Sequence, residues 1–262
     1  KKQLITSLLL SKRSNSGRDH LSLFLRYRKY PDKVWAIGPH ANKKSEEDYS
    51  CDIQYAEAMW EHEIWNKWTA GPTASIGAYQ VTKRKEAGLL FSDNIIGGKA
   101  AKTFSAGAQI ALDTRDNLFS PRNGSMVVIH SEQFHHMSSD NAPYVQNLID
   151  LRTYIPTLTD HALALKFFAQ WQNGDVPFRE LSSIGGPDRM RGFYEGRYRD
   201  KAAAVAESEY RFPIWSQFRG AVFASAGNVG ENLVETTKTK AKTSMGTGFR
   251  YVVDPKEKIA IR

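Results

Sequence analysis

The chain of 262 residues lacks several features on which common function classes depend. Its single cysteine, Cys51, cannot form an intrachain disulfide, and no cysteines and histidines stand at metal-ligand spacing. The Gly-x-Ser-x-Gly elbow of the α/β-hydrolases is absent. The sequence therefore predicts no metal site, no cofactor and no enzymatic activity within this chain.

Long apolar runs and compact basic runs are also missing. The longest apolar stretch, Leu4–Leu10, is far shorter than the ~20 residues that a membrane-spanning helix needs. Lys and Arg total 36 against 28 Asp and Glu, a net charge of +8, but the nearest basic cluster, Lys83-Arg84-Lys85, follows a candidate strand and is interpreted as a loop. We therefore expect neither a transmembrane helix nor a nucleic-acid partner. The mean hydropathy of −0.49 does not exclude a membrane location, because barrel strands carry polar residues at every second position.

What the sequence does contain is period-two alternation of apolar and polar residues, the pattern of strands with two different faces. It occurs in Leu21–Arg28, Thr103–Asp113 and Leu163–Gln172. A soluble sandwich and a membrane barrel both give this pattern. The longer runs last roughly ten residues, the length of a tilted membrane-spanning strand, whereas soluble strands average about five or six. Run length therefore favours the membrane barrel, with Phe167 facing outward and Lys166 facing the lumen.

Aromatic residues and connections also favour a barrel. Aromatic residues lie near candidate strand ends, where the interfacial girdles of membrane barrels form. Turn signals at Asp116-Asn117 and Pro121–Gly124 alternate with long polar stretches at Gly38–Tyr49, Gly174–Asp200 and Gly230–Lys242. Short turns on one side and long loops on the other are typical of an up-and-down barrel. The girdle candidates are Trp60, Trp65, Trp68, Tyr154, Trp171, Tyr210, Phe212, Trp215, Phe218 and Tyr251.

Four motif-like stretches follow one another in the second half of the chain. They are Asp113–Gly124, Ile184–Asp200 with an Arg-Gly-Phe tip, Glu209–Ile214, and Phe223–Val229 followed by Gly246–Arg250. In this order they resemble the C-terminal barrel of the bacterial surface antigen family, which includes BamA and TamA. The resemblance covers about 150 residues, from Asp113 to the end of the chain.

The resemblance implies a role for the long loop that ends at Asp200. In the family this loop folds back into the lumen, where its arginine, here Arg191, meets acidic residues of the inner wall. A planar guanidinium can bond a carboxylate with two hydrogen bonds. Phe193 is then expected to pack against the inner wall, and the loop glycines are expected to permit sharp turns. These glycines are Gly185, Gly186, Gly192 and Gly196.

The inner-wall partners are only partly those of the family. Glu209 occupies the position of one family acid. The second family acid lies in a Phe-x-Asp-x-Gly pattern, where this chain has Ser225. Glu207, which shares a strand face with Glu209, is therefore a candidate substitute.

The fold implied by the resemblance is all-β: a transmembrane antiparallel up-and-down β-barrel with an inward-folded long loop, and sixteen strands in the intact protein. About seven strands can be named from residue 101 onward, and the first hundred residues hold four or five at the same spacing. Residues 1–262 are thus expected to be one incomplete barrel domain, ending at Ile259–Arg262 inside the penultimate strand, with no POTRA region.

The function implied by the resemblance is insertion or translocation of polypeptides at the bacterial outer membrane. The expected partners are outer-membrane lipid and lipopolysaccharide, client outer-membrane proteins and accessory lipoproteins. Two alternatives stay open. The chain could form a passive or specific channel, or it could anchor a patatin-like lipase whose enzymatic domain lies outside this sequence.

Overall fold

The computed structural model describes residues 3–92, 95–254 and 259–261, and these residues form an almost entirely β structure. The strands are β1 (Leu4–Arg13), β2 (Asp19–Val34), β3 (Glu47–Trp65), β4 (Trp68–Lys83), β5 (Ala100–Asp113), β6 (Gly124–His136), β7 (Tyr144–Pro156), β8 (Ala162–Asn173), β9 (Ser182–Ile184), β10 (Tyr198–Asp200), β11 (Ala202–Trp215), β12 (Phe218–Gly230), β13 (Lys242–Asp254) and β14 (Ile259–Ile261). Within these described residues, helical structure is limited to α1 (Glu235–Lys238) and two 3₁₀ turns, Lys43–Ser45 and Leu89–Phe91. No helix in the described ranges has the length and apolar character needed to cross a membrane.

Twelve of the strands form one antiparallel sheet, in the order β1-β2-β3-β4-β5-β6-β7-β8-β11-β12-β13-β14. The remaining two, β9 and β10, pair with each other inside the connection between β8 and β11. The order confirms the predicted up-and-down topology. Four sheet strands lie before residue 100, as predicted, and eight follow from Ala100 onward, against the seven or so expected.

The alternating pattern gives the sheet two chemically different faces, as predicted. On the outer face, Phe104 of β5 and Phe167 of β8 are 47% and 43% exposed. On the inner face, Ser105 is buried and donates a hydrogen bond of 2.6 Å to the Glu132 carboxylate of β6. Lys166 also lies inside, where its ammonium group donates to a backbone carbonyl of the β8–β11 connection.

The sheet is curved around that connection, residues 174–201, which we call the inner loop. Arg191 of the inner loop bonds Glu209 of β11, whereas Tyr194, three residues later, donates a hydrogen bond to Asp32 of β2. β2 and β11 are separated by seven strand spacings of about 4.8 Å, roughly 34 Å along a flat sheet. A backbone bond spans this distance, since the amide of Gly38, four residues after β2, donates to the carbonyl of Arg199, three residues before β11. Seven residues of chain reach at most ~25 Å, so the sheet must curl. Among the described residues β1 pairs only with β2 and β14 only with β13, so no hydrogen-bonded closure joins them.

Several elements differ from the sequence-based expectations. The two turn signals at Asp116-Asn117 and Pro121–Gly124 belong to one connection, between β5 and β6. β2, β3 and β4 have 16, 19 and 16 residues, well beyond the predicted length. The β9–β10 hairpin and the long connection between β4 and β5 were not predicted either. The three long stretches are confirmed as the connections between β2 and β3, between β8 and β11, and between β12 and β13.

One girdle candidate is placed wrongly by the sequence prediction. Tyr154 lies on the inner face and is buried, and the Arg211 guanidinium lies 5.3 Å from the centre of its ring. A girdle residue has to face outward, so Tyr154 cannot contribute to one. Trp65 and Trp215, at the two-residue turns after β3 and β11, are 70% and 73% exposed, as expected of girdle residues.

In the part of the chain that the structure describes, apolar packing inside the curved sheet occurs in two separate clusters. The Phe178 cluster joins the first part of the inner loop to the β2–β7 wall, and the Ile184 cluster joins the second part to β11 and β12. The buried members of the Phe178 cluster are Val34, Tyr49, Cys51, Tyr79, Leu90, Ala101, Phe134, Tyr144, Val176, Phe178 and Leu181. Those of the Ile184 cluster are Ile184, Met190, Ala203, Val205 and Val229, with Phe193 and Tyr198 packed against them. The inner loop therefore supplies apolar residues to both walls.

Candidate functional site

The tip of the inner loop is a tight turn closed by its own backbone. The Gly185 amide donates to the Arg189 carbonyl at 2.6 Å, and the Gly186 amide donates to the Phe193 carbonyl at 2.9 Å. Gly185, Gly186, Gly192 and Gly196 all have positive φ, as expected from their residue type. At Gly185, with φ +113°, a Cβ would also overlap the backbone carbonyl of Tyr194. The tip therefore requires glycine at this position.

Met190 is the unusual residue of the tip. It has φ +94° although it carries a side chain, and that side chain is only 1% exposed within the Ile184 cluster. Such a backbone conformation costs on the order of 1–3 kcal/mol and persists only where the surroundings enforce it. Burial of Met190 thus fixes the direction in which the next residue, Arg191, leaves the backbone.

Arg191 reaches the inner wall and bonds two carboxylates of β11. Its Nη1 lies 2.6 Å from Glu209 and its Nη2 lies 2.8 Å from Glu207. The guanidinium carbon also lies 3.7 Å from the centre of the Phe223 ring on β12. A cation over an aromatic face adds ~0.5–2 kcal/mol, depending on how far water is excluded. The predicted contact between Arg191 and Glu209 is present, and Glu207 is a second partner.

Glu209 is the centre of a larger ionic cluster. One of its oxygens accepts hydrogen bonds of 2.6 Å from both Arg211 and Arg250, and the other bonds Arg191. The Glu209 side chain is 5% exposed, so its charge is removed from bulk water. A buried carboxylate is tolerated only when it is paired and hydrogen-bonded, a condition that three guanidinium groups meet.

Ser225 does not replace the family acid as a ligand of Arg191. Its hydroxyl lies 2.7 Å from that of Ser244 on β13, next to the backbone of Gly192. Glu207 and Ser225 are direct partners in the β11–β12 register. The second carboxylate of this chain therefore stands across the strand pair from the position at which the family pattern has its acid.

Phe193 packs against the inner wall, as the sequence analysis expected. It belongs to the Ile184 cluster, where its ring centre lies 6.0 Å from that of Tyr198. Val205 of β11 and Val229 of β12 are wall residues of the same cluster. The tip is thus held by two kinds of contact, an ionic one at Arg191 and an apolar one at Met190 and Phe193.

Comparison with known families identifies the fold. Residues 11–253 match the Omp85 superfamily domain. The chain belongs to the Omp85 superfamily. Among solved structures it is similar to BamA from Haemophilus ducreyi lacking POTRA domains 1–3, with a TM-score of 0.69 and 17% sequence identity. That match covers 96% of this chain and 56% of the BamA chain, and no curated protein matches.

Membership of the Omp85 superfamily fixes the cellular location. With the BamA-like fold, it identifies the chain as a β-barrel of the bacterial outer membrane. The apolar outer face and the polar inner face of the sheet agree with this location. The chain spans little more than half of the BamA chain that it matches.

Sequence reasoning missed several residues of this site, Arg250 and Met190 among them. Arg250 follows Phe249 on β13, and alternation gives neighbouring residues opposite faces. Because apolar residues of a barrel strand face outward, the inward position of Arg250 could have been inferred. Met190 has no comparable signal, because its backbone conformation depends on packing against distant residues. Among the described residues, no cluster of His, Cys, Asp and Glu is arranged to hold a metal ion.

Proposed function

We propose that this Omp85 barrel takes part in inserting or translocating polypeptides at the outer membrane, with the inner loop as the brace of its lumen. The observation that carries the proposal is the attachment of Arg191 to Glu207 and Glu209 of the inner wall. Such buried ion pairs add little net stability, because desolvation offsets their attraction, but they can fix one arrangement of the parts they join. We therefore assign the pair to positioning the loop on β11.

The proposed mechanism is physical rather than covalent. A strand edge exposes unpaired amide and carbonyl groups that can template an incoming strand. When such an edge opens, the wall must keep its shape while backbone hydrogen bonds are exchanged. A loop attached to β11 and packed against β12 can hold that part of the wall in register during the exchange.

The proposed partners follow from the two faces of the sheet. Outer-membrane lipid and lipopolysaccharide would contact the apolar outer face, and the clients would be outer-membrane proteins delivered with the help of accessory lipoproteins. A channel is disfavoured because the inner loop lies inside the curved sheet and is bonded to both of its walls, at Glu209 and at Asp32. No catalytic role is proposed for this chain.

Depletion and replacement of the full-length protein in cells tests the proposal. We expect depletion to lower the heat-modifiable, folded fraction of other outer-membrane proteins, and the wild-type gene to restore it. Arg191→Ala should restore about tenfold less of the folded fraction than the wild-type gene does. The reason is that the inner loop loses the charged hydrogen bonds that hold it on β11. Arg122→Ala is the matched control, because Arg122 pairs with Asp160 at an exposed turn.

Two outcomes would contradict the proposed function. Unchanged folding of other outer-membrane proteins on depletion, together with loss of solute permeability, would favour the channel. Loss of a lipase activity alone would favour the anchor.

A further inference from the structure

The inner loop also contacts the wall opposite Arg191, through polar groups that the Arg-Gly-Phe motif does not include. Arg179, in the first part of the loop, donates to Asp32 of β2 at 3.2 Å and to the hydroxyl of Tyr49 on β3. Tyr194, next to the tip, donates to the other oxygen of Asp32 at 3.1 Å. A single carboxylate of β2 thus accepts hydrogen bonds from both halves of the inner loop.

Asp32 is well suited to hold these groups. Its side chain and that of Arg179 are 13% and 15% exposed, and Tyr49, its register partner on β3, donates to the same oxygen that Arg179 bonds. The remaining oxygen also accepts the backbone amide of Lys33. Every hydrogen bond to Asp32 involves a charged acceptor, which makes each one stronger than a bond between neutral groups.

Further contacts near Asp32 attach the inner loop to the same wall. Phe178 is buried between Tyr49 and Tyr79, with ring centres at 5.7 and 5.8 Å. Beyond the end of β2, the Gly38 amide donates to the Arg199 carbonyl at 2.9 Å, and Arg197 donates to the Ala41 carbonyl at 2.9 Å. The connection between β2 and β3, residues 35–46, is therefore hydrogen-bonded to the inner loop at Gly38 and Ala41.

Asp32 also balances the positive charge of buried arginines. Arg199 is buried and donates to the backbone carbonyls of Phe178 and Gly196. Burial lowers the pKa of its guanidinium, and the negative charge of Asp32 opposes this decrease. Removing the Asp32 charge would thus leave two buried arginines, Arg179 and Arg199, without the carboxylate that offsets them.

We propose that Asp32 and Arg179 form a second positioning pair, which docks the 35–46 connection onto the inner loop and thereby keeps Arg191 seated on β11. This inference deepens the proposed function, since it makes the inner loop a brace between two walls instead of an attachment to one. The contact at Asp32 and the contact at Arg191 are close together along the chain. Tyr194 joins Asp32 to the tip, three residues from Arg191. Release of Asp32 should therefore loosen the tip as well as the 35–46 connection.

Hydrogen exchange on the full-length protein in lipid bilayers tests the proposal. In Asp32→Asn we expect exchange to rise by about tenfold in peptides from 35–46 and also in peptides from 186–197, the change expected when a charge-assisted hydrogen bond is lost. Exchange in β5–β7 should stay as in wild type. Arg179→Gln should give the same pattern, and Arg179→Lys, which keeps the charge, should partly restore protection.

The matched control is Asp52→Asn, which removes a carboxylate from the outer face of the same strand pair, where Asp52 lies 3.3 Å from Lys29. It should change neither segment. Where Asp32→Asn does not yield a folded barrel, Tyr194→Phe removes only the hydroxyl bonded to Asp32 and should show the same two segments with a smaller rise. Exchange that rises only in 35–46, or in neither segment, overturns the proposal. Client folding is measured separately, so failure of the assembly function leaves this result unaffected.

Discussion

Glu207 and Ser225 show how one interaction can be kept while its residue changes place. The family pattern has an acid where this chain has Ser225, yet Arg191 still has two carboxylates, because Glu207 bonds it at 2.8 Å. Glu207 and Ser225 face each other in the β11–β12 register. Side chains at such opposite positions have Cβ atoms about 4.5–5.5 Å apart, close enough for either to reach the same guanidinium.

Moving the carboxylate from one position to the other tests whether either can bond Arg191. Glu207→Ser should weaken attachment of the inner loop by ~0.5–1 kcal/mol, because the pair is partly exposed and Arg191 keeps Glu209 as a partner. Adding Ser225→Asp, which recreates the family pattern, should recover most of the loss. The measurement is the urea midpoint of the heat-modifiable band of the full-length protein, with Ser225→Asp alone as control. A double variant as weak as Glu207→Ser would show that the two positions are not equivalent.

Sequence reasoning predicted some residues of the inner-loop contacts and missed others. Arg191 and Glu209 could be paired in advance, because the loop motif and strand alternation put both inside the barrel. Asp32 and Arg179 could not, because they are 147 residues apart and no motif marks either. The threefold sharing of Glu209 by Arg191, Arg211 and Arg250 depends on the register of three strands, which alternation alone does not specify.

At the scale of elements, the inner loop is held by its turns as much as by its contacts. The tip closes through backbone bonds at Gly185 and Gly186, and the short β9–β10 hairpin closes its base. A loop without these turns could reach the lumen only as a flexible segment, at a larger cost in conformational entropy.

Gly185→Ala should prevent the tip from closing. The added Cβ would overlap the Tyr194 carbonyl at a backbone φ of +113°, so both sterics and conformation oppose it. We expect the inner loop to become sensitive to protease added outside the cell, while the sheet still folds. Gly248→Ala is the control, because a Cβ there meets no heavy atom within 4 Å. Equal protease resistance in the two variants would refute the role assigned to Gly185.

The strands themselves were the most predictable elements. Alternation and run length identify β5 and β8 directly, because each strand has an apolar outer face and a polar inner face. The extra length of β2, β3 and β4 was not predicted. The parts of these strands beyond the expected spanning length pack against the inner loop, and the sequence pattern does not show that contact. β9 and β10 are too short to give a pattern at all, at three residues each.

At the scale of the whole molecule, the curved sheet and the inner loop depend on each other. The sheet brings β2 and β11 to a common centre, and the loop fills that centre with the Phe178 cluster on one side and the Ile184 cluster on the other. The resemblance to a known family predicted the outer-membrane fold, now supported by the Omp85 match over residues 11–253. It did not predict that the loop would contact both walls.

The central claim is that Arg191 and Glu209 act as one unit in assembly, and a double-mutant cycle on the full-length protein measures it most directly. The readouts are folding of client outer-membrane proteins and the unfolding free energy of the barrel. Arg191→Ala should impair client folding strongly while changing stability by only ~1 kcal/mol, because Glu209 keeps Arg211 and Arg250 as partners. Glu209→Ala should be the more harmful single change, since it leaves three arginines without their shared carboxylate.

The cycle then has a definite expected outcome. The double variant should fold clients no worse than Glu209→Ala, with a coupling energy of roughly 0.5–3 kcal/mol between the two sites, as is usual for residues in one ionic network. Strictly additive defects in both readouts, or wild-type client folding in Arg191→Ala, would contradict the account.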